Sequence, residues 1–308
     1  MKLDDKILNQ LINYCIDFVD NNLKKYNYKS DITHLLYIIV PAFIVKYGFE
    51  HKNKIFKTFE EVPFIINNNA EKVLQAYYSS LPIIDNDKIT TKKHIVLNYY
   101  EGKPLMELID NIVHEYNHAV NSIINEIKWD DSYVYLRTGL MYVKYNKNDY
   151  FDNGKDDAYI LEEIINTKQT EDIIDIINSF NNYNIENNII SNTLYNIDKY
   201  INNNYNSEAY LLQSTLCKEL MNNRTLISVL SNMRFLGNVD DIPYFFDNIT
   251  GIDDSYNKLV KLLNESVKLE QEFGKVKIFK KRMIRKILRI YSEAKDIVDT
   301  FNSNYHFK

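Results

Sequence analysis

The chain has little from which to build disulfides, sharp turns or many-stranded sheets. Only two of its 308 residues are cysteines, Cys15 and Cys217, far apart and in apolar helical surroundings. They form neither a disulfide framework nor a CxxC metal site, which fits a reducing compartment. Seven glycines and five prolines leave sparse punctuation, so helix is the default expectation. An excess of positive charge is also missing. Thirty-seven basic against 42 acidic side chains leave a net charge of −5, and nucleic-acid binding across the whole surface is disfavoured because phosphate neutralisation needs a basic excess. The most apolar run, Leu35 to Val45, covers about a dozen residues around Pro41, whereas spanning a bilayer takes about 20. Met1 to Asp20 alternates charged and apolar residues and has no signal-peptide h-region. These absences together read as a cytoplasmic protein without a membrane span.

The helical default is met by several amphipathic segments. Ile7, Leu8, Leu11, Ile12, Cys15, Phe18, Val19 and Leu23 form one stripe at helical spacing, and a second apolar stretch runs from Ile32 to Phe49. Lys54 to Ile66, rich in Phe and Ile and interrupted by Pro63, reads as extended, and Ala70 to Ser80 as helix. His94 to Tyr100 is branched and aromatic and reads as a strand. After a Glu101-Gly102-Lys103 turn, Pro104 starts a helix reaching to about Ile127. Ser132 to Lys144 reads as a strand pair with a bend near Gly139, and Asp149 to Lys155 as a polar loop. Helix returns from Asp156 to about Thr167, with Thr170 as a fresh N-cap. An Asn-dense stretch to Asn206 follows. Further helices are expected at 208–222, 225–234, 255–272 and 275–301. No internal repeat is evident.

One helix carries chemistry. His114-Glu115-Tyr116-Asn117-His118 is an HExxH motif, which places two imidazoles at i and i+4 where both reach one ion, with the glutamate beside them as a base. Leu105, Leu108, Ile109, Ile112, Tyr116, Ala119, Val120, Ile123 and Ile127 form one apolar stripe on this helix. His114 and His118 fall on the opposite side with Asn111, Asn121 and Asn125, as a cleft-lining ligand pair requires. A zinc hydrolase needs a third protein ligand and a fourth position for water. No histidine follows at metzincin spacing, which excludes that class and favours a carboxylate. Leu161-Glu162-Glu163-Ile164-Ile165-Asn166-Thr167 supplies one, with Glu163, Asn166, Thr167 and Thr170 forming a polar row in an Ile-rich segment.

HExxH, a short β-segment and a helix carrying Glu-Glu together resemble the gluzincin class of zincin metallopeptidases. More loosely, His94 to Asp172 resembles uncharacterised HExxH proteins of AT-rich Gram-positive bacteria. Ile164 stands where a small residue is common in gluzincins, and the interval from His118 to Glu163 is longer than in thermolysin-like enzymes. The resemblance selects Glu163 rather than Glu162 as third ligand, so His114, His118 and Glu163 would hold one Zn2+ per chain. It implies metal-assisted hydrolysis of a peptide or protein substrate, with Glu115 as general base. Such chemistry also needs a donor for the developing oxyanion, and Tyr159, Arg137 and Tyr142 are the candidates. It further implies that substrate pairs with an edge strand just before the HExxH helix, here His94 to Tyr100.

A second charge feature lies near the C-terminus. Lys275, Lys277, Lys280, Lys281, Arg282, Arg285, Lys286 and Arg289 are cations with no intervening acid, backed by an apolar side. The alternative function is therefore a catalytically silent zincin-fold binding or regulatory protein acting through this basic helix. Retention of Glu115 favours the enzyme, since a structural metal site needs no base. The expected fold is α+β and mainly helical, with a zincin-like catalytic core, a small mixed sheet and a helical C-terminal part. The expected divisions are 1–90, an N-terminal region packed on the core; 91–180, the catalytic core; and 181–308, the helical C-terminal region.

Overall fold

The two N-terminal apolar stripes fold as helices. In the computed structural model, which describes residues 4–67, 76–85, 88–99, 104–122, 127–147, 152–155, 158–201, 214–273 and 280–305, α1 spans Asp5–Phe18 and α2 spans Ser30–Tyr47. Asp4 caps α1 by accepting the Ile7 amide at 2.7 Å. Leu35, Leu36, Ile38, Ile39 and Phe43 of α2 have no exposed surface. Among the described residues α2 alone is long and apolar enough to cross a membrane by length and composition, and more than half of it is buried inside the protein. Its environment is that of a core helix.

The chain divides into two compact units, Met1–Val120 with Gln169–Ser207, and Asn121–Lys168 with Glu208–Lys308. In the first unit α2 is followed by α3 (Lys52–Glu61), β1 (Phe64–Asn67), β2 (Ala76–Asp85), β3 (Lys88–Asn98) and α4 (Leu105–Asn121). The strands form a mixed sheet in the order β1-β3-β2. β1 is parallel to β3 with Phe64 opposite Ile95, and β2 is antiparallel to β3 with Tyr78 opposite Ile95. The second half of α5 (Tyr159–Ser179) and α6 (Asn188–Ile201) complete this unit.

Three expectations change here. Lys54 to Ile66 is not extended throughout: Ile55, Thr58 and Phe59 bury one helical face of α3, and the strand starts only beyond Pro63. Pro disfavours helix at the residue before it, which sets that boundary. The expected helix at Ala70 to Ser80 is strand from Ala76 onward, while residues 70–75 lie outside the described residues. The strand expected at His94 to Tyr100 exists as β3, but it is central rather than an edge, and the edge beside it is β2. Tyr100 lies outside the described residues.

The second unit holds an antiparallel meander, β4 (Ile127–Trp129), β5 (Tyr133–Thr138), β6 (Met141–Asn146) and β7 (Asp152–Lys155), in that order. Among the described residues the strands thus form two sheets rather than one. Gly139, at the β5–β6 turn, has a φ of 58°, where L side chains are strained. The first half of α5 follows. Thr170 does not start a new helix, because α5 runs unbroken through it and continues its buried Ile stripe to Ile173 and Ile177. The C-terminal part is helical: α7 (Thr215–Met221), α8 (Arg224–Leu236), α9 (Ile242–Thr250), α10 (Ser255–Phe273) and α11 (Lys280–Tyr305). Phe246 of α9 stacks on Phe301 of α11 with ring centroids 4.5 Å apart. α9 occupies a stretch where no helix is expected from spacing. The fold is α+β and mainly helical, an architecture consistent with a zincin-like core.

Candidate metal centre

α4 is anchored through its apolar stripe. Leu108, Ile109, Ile112, Tyr116, Ala119 and Val120 are all buried. Tyr116 stacks on Phe59 at 3.9 Å, meets Phe64 edge-on at 5.1 Å and donates its hydroxyl to the Val62 carbonyl at 3.0 Å. Burying such a ring contributes roughly 1.5–3 kcal/mol, and the hydroxyl bond fixes the helix's rotation. Burial pushes the Tyr116 phenol well above its ordinary range.

The opposite face is not open to solvent, as the cleft-lining expectation would have it. Asn111, Glu115, Asn117, His118 and Asn121 are buried, and His114 is partly buried. Buried polar groups need partners, and several are supplied. Glu115 Oε2 accepts the backbone N–H of Tyr78 at 2.6 Å, so the outward edge of β2 is aimed at the motif's glutamate. Residues two apart on a strand point their amides the same way, which puts Pro82 on this outward register, where its missing N–H costs no ladder bond. Asn117 accepts from the Tyr47 hydroxyl and donates to Gln169 Oε1 at 3.4 Å. These contacts hold α4 against α2 and the second half of α5.

The adjacent glutamates of α5 diverge. Glu162 is fully buried and ion-paired with Arg234, itself fully buried. Its Oε2 accepts Arg234 Nε at 2.9 Å and the Leu140 amide at 2.8 Å. The carboxylate lies so close to Gly139 that a Cβ there would collide with it. Asn166, one turn on, accepts from Arg234 Nη2 at 2.7 Å, so its partner comes from this network. A residue 100° away on the helix, Glu163 points elsewhere.

It points to the histidines. One ligand atom each from His114, His118 and Glu163 lie within 4.8 Å of one another. The two rings are T-shaped, with centroids 4.9 Å apart and planes at 78°. Donors around one tetrahedral zinc, at about 2.0–2.1 Å from it, sit roughly 3.3 Å apart. Small side-chain rotations therefore suffice to bring all three to one ion. Two imidazoles and a carboxylate are also a donor set that suits zinc. The residues fit the metal, and the part-buried His-His-Glu cluster, with zincin-like spacing, is consistent with a metal-binding catalytic site.

The three candidate oxyanion donors are distributed differently. Arg137, on β5, is buried and donates through Nε to the Gly139 carbonyl at 2.8 Å. Tyr142, on the more exposed face of β6, lies under the Lys128 ammonium, 4.6 Å from its ring centroid, and Lys128 in turn pairs with Asp240 at 3.0 Å. Tyr159 is the first residue of α5, one turn before Glu163. Sequence reasoning missed Arg234, Tyr47 and the Tyr78 amide. Arg234 carried a signal in retrospect, a lone cation within the apolar stretch of α8, whereas a backbone donor from a neighbouring strand leaves none. No family model, curated protein or solved structure matches this chain.

Proposed function

We propose that this protein is a zinc-dependent peptidase of the gluzincin type, with His114, His118 and Glu163 holding one zinc and Glu115 acting as general base. The observation that carries the reading is the convergence of Glu163, from a separate helix, on the HExxH histidines, with the three ligand atoms within 4.8 Å. When bound, zinc supplies Lewis acidity, polarising a carbonyl and acidifying water.

The chain's own groups do the rest. The Tyr78 N–H holds Glu115 Oε2 at 2.6 Å and leaves Oε1 to take a proton from the attacking water and return it to the leaving amine. The preference for a peptide over other substrates rests on β2. It is an edge strand, edge strands can accept an extended chain by strand addition, and the Tyr78 amide, engaged with Glu115, marks where this edge meets the motif. Of the oxyanion candidates, Tyr159 shares a helix face with Glu163 and is the one we favour. The fully buried Glu162 is the structural member of the pair, because its charge is already matched by Arg234.

Elemental analysis of purified protein is expected to find about one zinc per chain, lost in His118→Ala and in Glu163→Ala. Glu115→Gln is expected to retain zinc while hydrolysis of a peptide library falls at least a hundredfold, on the order expected of a lost general base. Protein without stoichiometric zinc, or zinc indifferent to both ligand changes, rules the reading out. Zinc retained with full activity in Glu115→Gln removes the glutamate's role alone.

A further inference from the structure

The helix pair α10–α11 encloses a groove of about 550 Å³ lined by Lys258, Lys261, Glu265, Arg282, Arg285, Lys286, Arg289 and Glu293, floored by Leu262 and Ile290. Six cations and two acids line it. The acids are already engaged: Glu265 pairs with Lys286 at 2.6 Å and Glu293 with Arg289 at 2.9 Å. Lys286, and behind it Lys261 and Arg289, hold the Glu265 carboxyl below its ordinary range. Among the described residues, no acidic side chain pairs with Lys258, Lys261, Arg282 or Arg285. Four cations therefore face one concavity without an ion-pair partner of their own, with Glu265, already bonded to Lys286, as the nearby acid for Lys261, in a chain whose net charge is −5.

The arrangement works against the stability of the helix that bears it. Like charges three and four residues apart on a helix repel, as Arg282, Arg285, Lys286 and Arg289 do here. α11 also begins with Lys280, Lys281 and Arg282 and carries no acid in its first turn, where the macrodipole disfavours cations. A bound anion relieves both effects.

We propose that this groove is a binding site for a small soluble anion bearing two or more phosphates. The volume falls within the roughly 300–1,000 Å³ typical of small-molecule sites. Arg282 to Arg289 spans about 10 Å along the helix, room for a short polyphosphate chain between the guanidiniums of α11 and the ammoniums of α10. Arginine forks grip phosphate oxygens in pairs. A single-stranded nucleic acid fits less well, because among the described residues no aromatic lines the groove for bases to stack on. A membrane surface fits less well too. Ile290, Ala294, Ile297, Val298 and Phe301 of α11 are buried in the protein, while the exposed Ile284 and Leu288 project from the side of the helix away from the groove.

Inorganic tripolyphosphate is the probe. Calorimetric titration of the full chain at physiological salt is expected to show one site, weakening as salt rises. Arg282→Ala/Arg285→Ala is expected to lose affinity at least tenfold. Its melting temperature should be equal to or above that of the parent, since both side chains are exposed and mutually repelled. Zinc content measured before and after titration separates groove binding from chelation, and the double variant does not touch the metal cluster. Binding that is unchanged in the double variant, or absent at physiological salt, overturns the proposal. So does tighter binding of a single-stranded oligonucleotide, or of vesicles containing phosphatidylserine, that tripolyphosphate fails to displace.

Discussion

At the scale of single residues, the most informative contrast is between two neighbours of the same type. Glu162 and Glu163 differ by 100° of helix rotation, and that rotation separates a buried counter-ion from the carboxylate of the candidate metal site. Glu162 and Arg234 are both fully buried. Removing one charge of such a pair costs about 3–5 kcal/mol, because the other stays buried without its match. Glu162→Gln is therefore expected to lower the urea midpoint sharply while leaving zinc stoichiometry intact in the folded fraction. Glu163→Gln should do the reverse, losing zinc while the metal-free protein keeps nearly its parent stability. Denaturation curves with and without chelator, run on both variants, check this. Equal destabilisation by the two changes would refute the division of labour.

At the scale of elements, the candidate metal centre depends on how α4 and α5 are locked together. Asn117, between the two histidines of the motif, accepts from Tyr47 of α2 and donates to Gln169 of α5. Gln169 continues the helix that carries Glu163. Groups that orient ligands in this way typically contribute 10–100-fold to metal affinity. Asn117→Leu, similar in size and unable to make either bond, is expected to weaken zinc by about tenfold in a chelator competition without unfolding the protein. Undiminished affinity would show that the helices hold their register without it. The same contacts explain what was legible beforehand. The i, i+4 histidines, the apolar stripe of α4 as far as Val120 and the strand–turn–strand around Gly139 are local patterns, and local spacing reveals them, whereas the helix expected to reach Ile127 ends at Asn121 and Ile127 opens β4. α3 was misread because its Phe and Ile suit strand as well as helix over ten residues, and only burial of Ile55 and Phe59 decides between them. The identity of the sheet edge was illegible because β2 follows residues with little pattern of their own. Strand order is a tertiary property that no window of sequence contains. The Tyr78 amide is illegible for the same reason, since every residue but proline has one.

At the scale of the whole molecule, the balance of protons held by the folded and unfolded chains sets how stability responds to alkali. Burial pushes the Cys217 thiol from 9.0 up to about 11. Burial, with Asp20 beside it, pushes the Tyr37 phenol from 10.0 to about 12, and burial, with Glu270 nearby, does the same for Tyr291. These three groups keep their protons in the folded state after the unfolded chain has released them. Their contribution is complete below pH 9, then lost as pH rises, through about 11 for Cys217 and about 12 for the tyrosines. Lys93 acts in the opposite sense. Burial lowers its ammonium from 10.5 to about 8, so between those values the unfolded chain holds the extra proton and stability rises with pH. The two windows overlap only partly, which predicts a shallow rise above pH 8, a maximum, and then a fall that outweighs it, because Cys15, Tyr28 and Tyr116, also raised by burial, act in the same sense as these three against one lysine. Lys93→Met should abolish the rise by raising stability at neutral pH. Cys217→Ala should make the fall shallower without moving its onset, because the buried Cys15 thiol, also raised from 9.0, keeps the unfolded chain releasing a proton first from about that pH. Urea denaturation at closely spaced pH values from 7 to about 12 tests both changes, and a stability that falls steadily across that range in all three proteins would contradict the assignment of these groups.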